Sequence, residues 1–103
     1  MPLDKNKNAI LYVPWLNKTK SKSKYFVYVK SDNKKGFKKI GFGYKGMGQY
    51  KDKGGYYKSL DHGDKKRRAS YLARARGIKN KKGELTYKDK NTANYWSIQY
   101  LWL

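Results

Sequence analysis

The chain has 103 residues, with 26 lysines and arginines against seven acids and a formal net charge of +19. Such a surplus resists packing of one copy on another and calls for polyanions or acidic surfaces nearby, so the partner defines the function. The absence of cysteine excludes disulfides and thiolate metal sites, and a total of only 18 Leu, Ile, Val and Phe residues excludes a large aliphatic core.

Eleven tyrosines and three tryptophans supply what the aliphatics lack. A buried ring removes roughly 150 to 250 Å² from water, so the rings predict one small folded domain where charge and aliphatic content alone would predict disorder. Most of the cations are lysines, flexible and strongly hydrated point charges suited to neutralisation and placement. Bidentate reading of a base edge or carboxylate is left to Arg67, Arg68, Arg74 and Arg76.

In chain order, Ala9–Val13 is a short apolar run ended by Pro14, predicted as an edge strand or docking arm. The stretch to Leu16 is interrupted by Pro14 and has no small-residue cleavage site, so no secretory signal is expected. No segment reaches the roughly 20 apolar residues of a membrane span. Residues 18–24 alternate lysine with Ser and Thr and read as a solvated linker. Residues 1–24 are therefore taken as an N-terminal arm and Lys-rich linker, and residues 25–103 as a small basic domain.

Tyr25–Val29 are five consecutive strong β-formers, Ser31–Gly36 supplies turn chemistry, and Phe37–Phe42 resumes the extended pattern. A β-hairpin over 25–43 follows, with Ile40 and Phe42 on one face and Lys39 and Gly41 on the other. The glycine-rich stretch 43–57 lacks a Gly-Lys-Ser/Thr continuation, so it reads as a loop whose Tyr44, Tyr50, Tyr56 and Tyr57 anchor it to the core.

Asp64 is placed to cap a helix over 65–76 that Gly77 stops. At 100° per residue Tyr71, Leu72, Ala75 and Ala69 share its inner arc, and Lys66, Arg67, Ser70 and Arg74 its outer one. After a polar connector over 78–90, Thr92–Leu103 is apolar almost all round and capped by Asn91 or Thr92. Tyr95, Ile98 and Trp102 are assigned to the core, and Trp96 and Tyr100 are candidates for an interface. The predicted fold class is α+β: a small antiparallel hairpin or sheet, joined by 9–13, packed against two helices in a single compact domain with basic loops.

Several blocks recur in a recognisable order: Lys39-Ile40-Gly41-Phe42-Gly43, Gly48-Gln49-Tyr50, His62-Gly63-Asp64 with Arg67-Arg68 and Tyr71-Leu72-Ala73-Arg74, then Thr92-Ala93, Trp96-Ser97 and Tyr100-Leu101-Trp102. In these the chain resembles a family of small basic uncharacterised proteins of giant double-stranded DNA viruses and some protists. It departs from the family pattern at Gln49, where an acid is usual, and at Ala75, where a histidine is. The resemblance implies a viral accessory or virion protein and carries no catalytic residues.

Three further chemistries are weighed and set aside. His62 between Asp61 and Asp64 has the makings of a general base, but Asp-His-Gly-Asp before a helix does turn and capping work equally well, and no nucleophile is marked out beside it. Val27-Tyr28-Val29 and Lys39-Ile40-Gly41 are similar to the paired hairpin of GIY-YIG nucleases, yet the single glutamate, Glu84, lies in a connector. Base stacking on the tyrosines competes with their duty as core.

The expectation is therefore a protein with no catalytic, metal or cofactor site and no small-molecule substrate. It is expected to be a minor capsid or cementing component of a giant-virus particle, present in the virion and in host cytoplasm or nucleus during assembly. Lys65, Lys66, Arg67, Arg68, Arg74, Lys34, Lys35, Lys38, Lys39, Lys79, Lys81 and Lys82 would bridge acidic surfaces of neighbouring capsid proteins. The alternative partner for the same cations is double-stranded DNA, coated without base reading.

Overall fold

The β-forming run predicted at Tyr25–Val29 is the centre of the molecule. The computed structural model describes Leu3 and residues 9–103. Strand β2 spans Ser23–Lys30 and lies between β1 (Trp15–Leu16) and β3 (Phe37–Tyr44) in an antiparallel sheet of order β1-β2-β3. The pairs Tyr25 with Phe42 and Val27 with Ile40 put these four side chains on one face, as the alternation predicts. Ser31–Gly36 closes the hairpin: Ser31 N–H donates to the Gly36 carbonyl, Asn33 Nδ2 donates to Phe37 O at 2.7 Å, and Gly36 takes φ 79°.

Upstream, the structure differs from expectation. The strand expected over Ala9–Val13 falls instead at Trp15–Leu16, because Tyr12 turns the chain with φ 64° and its N–H donates to Tyr28 O. Ser23 and Lys24, read as linker, are the first residues of β2. Asn17 organises the turn before them, donating through Nδ2 to Ser21 and Ser23 while its Oδ1 accepts from Thr19. Sheet and core thus reach back to Tyr12, upstream of the boundary expected at residue 24. Residues 1, 2 and 4–8 of the arm lie outside the described residues.

Helix α1 (Lys65–Ala75) starts where Asp64 accepts hydrogen bonds from the amides of Lys66 and Arg67. Leu72 and Ala75 are buried and Tyr71 is half-buried, but Ala69, expected inside, is exposed. Arg68 takes that place on the stripe 68–71–72–75, its guanidinium lying 4.9 Å from the Tyr50 ring centroid. Helix α2 (Ala93–Ser97), capped by Thr92, widens into a π-helical turn over Ile98–Trp102. This closing segment packs on β3, and α1 packs on the π-helical turn, giving one small α+β domain.

The core forms between the sheet and α2. Tyr25, Val27, Val29, Phe42 and Leu101 are buried together, and Leu72, Ala75 and Ile98 form a second cluster under α1. Trp102, assigned to the core, is half-buried and stacks flat on Tyr71 with centroids 4.0 Å apart, while Leu101 takes the deepest position. A helix apolar on all sides gives no pattern from which that choice can be read. The opposite face of the sheet carries a separate aromatic ladder, Trp15 on Phe26 and Tyr28, and Tyr28 on Phe37, with Lys39 Nζ 4.3 Å over Phe26.

Leu101, 2% exposed, is the link between sheet and closing helix. Leu101→Ala is expected to cost about 2–5 kcal/mol, read as a lower midpoint in urea unfolding. An unchanged midpoint would place the core elsewhere.

Candidate functional site

The glycine-rich loop over 45–64 is held to the sheet by buried polar groups as well as by rings. Lys24, only 1% exposed, donates from Nζ to the Met47 carbonyl and to Gln49 Oε1, each at 2.6 Å. Gln49 in turn donates from Nε2 to Asp61 Oδ1 at 2.5 Å and to Tyr57 O at 2.9 Å. Asp61 also accepts the Asp52 amide, and the buried Asp52 carboxylate accepts from the Tyr25 hydroxyl and the amides of Gly54 and Tyr57. Buried charges require this degree of pairing, since an isolated one is far too costly to keep.

Glycine is demanded at one point of this network. A Cβ on Gly54 would lie 2.3 Å from the Tyr25 oxygen, so only glycine lets the loop close over the phenol. Tyr57 packs against the core and Tyr50 stands against His62 and Arg68, as loop anchors should. Tyr44 and Tyr56, expected to do the same, are exposed.

Beside the network a cleft of about 840 Å³ opens between the end of β3 and α1. Gly41–Tyr44 form one wall and Lys66, Arg67, Ser70 and Arg74 the other; Leu101 and Trp102 also line it, and Tyr44 and Met47, 50% and 61% exposed, stand on its sheet side. No aspartate or glutamate lines it. The only ion pair among the described residues, Arg67 with Asp64 at 3.7 Å, is exposed and contributes little.

The predicted cations do not converge on a single patch. Lys66, Arg67 and Arg74 share the cleft, Lys34, Lys35, Lys38 and Lys39 border a second depression at the hairpin turn, and Lys79, Lys81 and Lys82 lie exposed in the turn after α1. Lys65 is exposed at the start of α1, and Arg68 is turned onto Tyr50.

The two aromatic interface candidates are used internally. Trp96 stacks with Tyr12 and packs on Phe42, donating Nε1–H to Lys90 O, and Tyr100 meets Tyr25 and Phe42 edge-on. His62 accepts the Asp64 amide at Nδ1 and lies 5.3 Å from the Trp102 ring, a turn-forming position. Among the described residues no three His, Cys, Asp or Glu side chains gather as metal ligands, and no helix is long and apolar enough to cross a membrane.

Sequence reasoning missed Lys24, Gln49 and Asp52. Lys24 looked like the last charge of a linker, although its direct junction with Tyr25–Val29 was a signal that it belonged to the strand. Comparison with known protein families, curated proteins and solved structures finds no match for this chain.

Burial raises the phenols of Tyr25, Tyr71 and Tyr100 above their ordinary 10.0, and the Asp52 carboxylate adds to the rise at Tyr25 and Tyr100. Such groups stabilise the fold fully below pH 10.0 and lose that contribution as pH climbs through their folded values. Burial lowers Lys24 and Lys53, whose charged forms therefore cost stability, a cost that fades as pH approaches 10.5. Beyond 10.5 only the phenols still act, so the melting temperature is expected to fall there, with phenolate absorbance developing together with unfolding. Phenolate formation well before unfolding would contradict the burial of these rings.

Proposed function

We propose that this chain is a non-enzymatic structural protein of a giant DNA virus particle, a minor capsid or cementing component. Its lysines join acidic surfaces of neighbouring capsid subunits. It resides in the virion and reaches it through host cytoplasm or nucleus during assembly. The viral setting draws on the sequence resemblance alone.

One observation carries the bridging role: five of the seven acids are engaged by donors of the chain itself, while most cations among the described residues face solvent with no carboxylate partner. Asp52, Asp61, Asp64, Glu84 and Asp89 give side-chain oxygens to amide, hydroxyl or side-chain donors of their own loops and caps. The cations stand on separate parts of a body with extents of 44 × 34 × 21 Å: the hairpin turn, the outer face of α1 and the turn at 79–82. Charge spread in this way neutralises two opposed acidic surfaces at once, whereas one dense stripe serves a single partner. Hydrated, flexible lysines tolerate variation in where the opposing carboxylates lie.

Coating of the viral genome is the second reading. It is favoured by the exposed run Lys65–Arg67 at the start of α1, which a phosphate backbone can follow without base contacts.

The two roles separate in one pair of measurements. Mass spectrometry of purified, fractionated particles is expected to find the chain with the shell, and DNA affinity is expected to collapse at about 0.15 M salt, where counterion release no longer favours a loose phosphate contact. Absence from particles would end the structural reading, and nanomolar DNA binding at that salt would move the protein to the genome.

A further inference from the structure

Strand β3 is an edge strand: among the described residues only β2 pairs with it. An open edge offers a row of backbone N–H and C=O groups to another chain, and proteins usually cover or blunt it. Here the last four residues of that edge strand, Gly41–Tyr44, line the cleft, and the cationic face of α1 stands across from them. Gly41 and Gly43 leave room for the chain's own Ser23 and Leu101, respectively, which a Cβ at those positions would meet. An edge strand facing a helix across a groove is the geometry in which extended peptides add to a sheet.

We propose that this cleft takes an extended acidic segment of a neighbouring shell subunit, added as a fourth strand along β3, with its carboxylates facing Lys66, Arg67 and Arg74. The proposal rests on the bridging role above and names the contact that makes one side of the bridge.

Charge selects this occupant. With three cations across from the strand and no carboxylate in its lining, the cleft repels a basic segment. The chain's own N-terminal arm has Lys5, Lys7, Lys18, Lys20 and Lys22 against Asp4, so a second copy is disfavoured. Shape selects it further. Successive side chains of an added strand point to opposite sides, so one set can carry acids toward α1 while the alternate set lies on the outer face of the sheet. A nucleic acid matches the charge but has no peptide groups with which to continue the ladder.

The test is fluorescence anisotropy on the full chain at near-physiological salt. Three fluorescein-labelled probes are titrated: Val-Glu-Val-Glu-Val-Glu, the equally charged Pro-Glu-Pro-Glu-Pro-Glu, whose prolines lack the N–H and favour a polyproline backbone over a strand, and an oligothymidine. The valine peptide is expected to bind about tenfold more tightly than the proline peptide. Arg67→Ala with Arg74→Ala should weaken it by about tenfold, whereas Lys34→Ala with Lys35→Ala, removing the same charge elsewhere, should weaken it by less than about twofold. All four side chains are exposed, so circular dichroism should report the parental fold in both variants.

Equal binding of the two peptides, equal loss from the two double substitutions, or tighter binding of the oligothymidine would overturn the proposal. The titration requires no particle, so its failure removes the groove contact alone, while absence of the chain from purified particles removes the bridging role alone.

Discussion

A lysine ammonium taken out of water organises this molecule. Lys24 enters the protein interior from the first residues of β2, where the carbonyl of Met47 and the side-chain amide oxygen of Gln49 accept hydrogen bonds from its ammonium. Through Gln49 the same charge orders Asp61, and Asp61 orders the Asp52 amide. A few residues away the Tyr25 hydroxyl and Asp52 carboxylate form a parallel link between sheet and loop. A loop with so many glycines has much entropy to lose, and side chains with specific partners give it a single arrangement that apolar contact alone would leave vague.

The same few acids explain the surface. In most small proteins carboxylates and ammonium groups intersperse, and the field outside is weak. Here Asp52, Asp61, Asp64, Glu84 and Asp89 are engaged in caps, Asx-type turns and the buried network, and most of the lysines are left to face solvent. Some do local work: Lys53 donates to the Gln99 carbonyl near the end of the closing helix, and Lys45 donates to Thr19 O. The remainder supply an external field for which the chain holds almost no internal counter-charge.

How far the sequence could be read follows from the range of each signal. The hairpin and α1 rest on local rules, alternation in one and an aspartate cap in the other, and both lie where those rules place them. Strand β1 is two residues long and exists only because β2 is there to pair with it, so no local pattern announces it. Lys24 and Asp52 are buried through contacts 25 and 27 residues along the chain, and charge in a sequence carries no mark of where it will find a partner. The cleft was half legible: the outer arc of α1 was visible on the helical wheel, but that it faces the last residues of β3 is a product of the tertiary fold.

The engagement of most acids by the chain's own donors also bears on how copies of this protein behave toward each other. At +19, with surface charge unbalanced, two free copies repel over about the 8 Å screening length of physiological salt, and the repulsion ends only when an anionic surface lies between them. Mutual repulsion of free copies and the proposed adhesion to an acidic partner therefore arise from one and the same property. In the proposed bridging role the chain would be a glue that cannot set on itself, with contact with the material to be joined as the curing step.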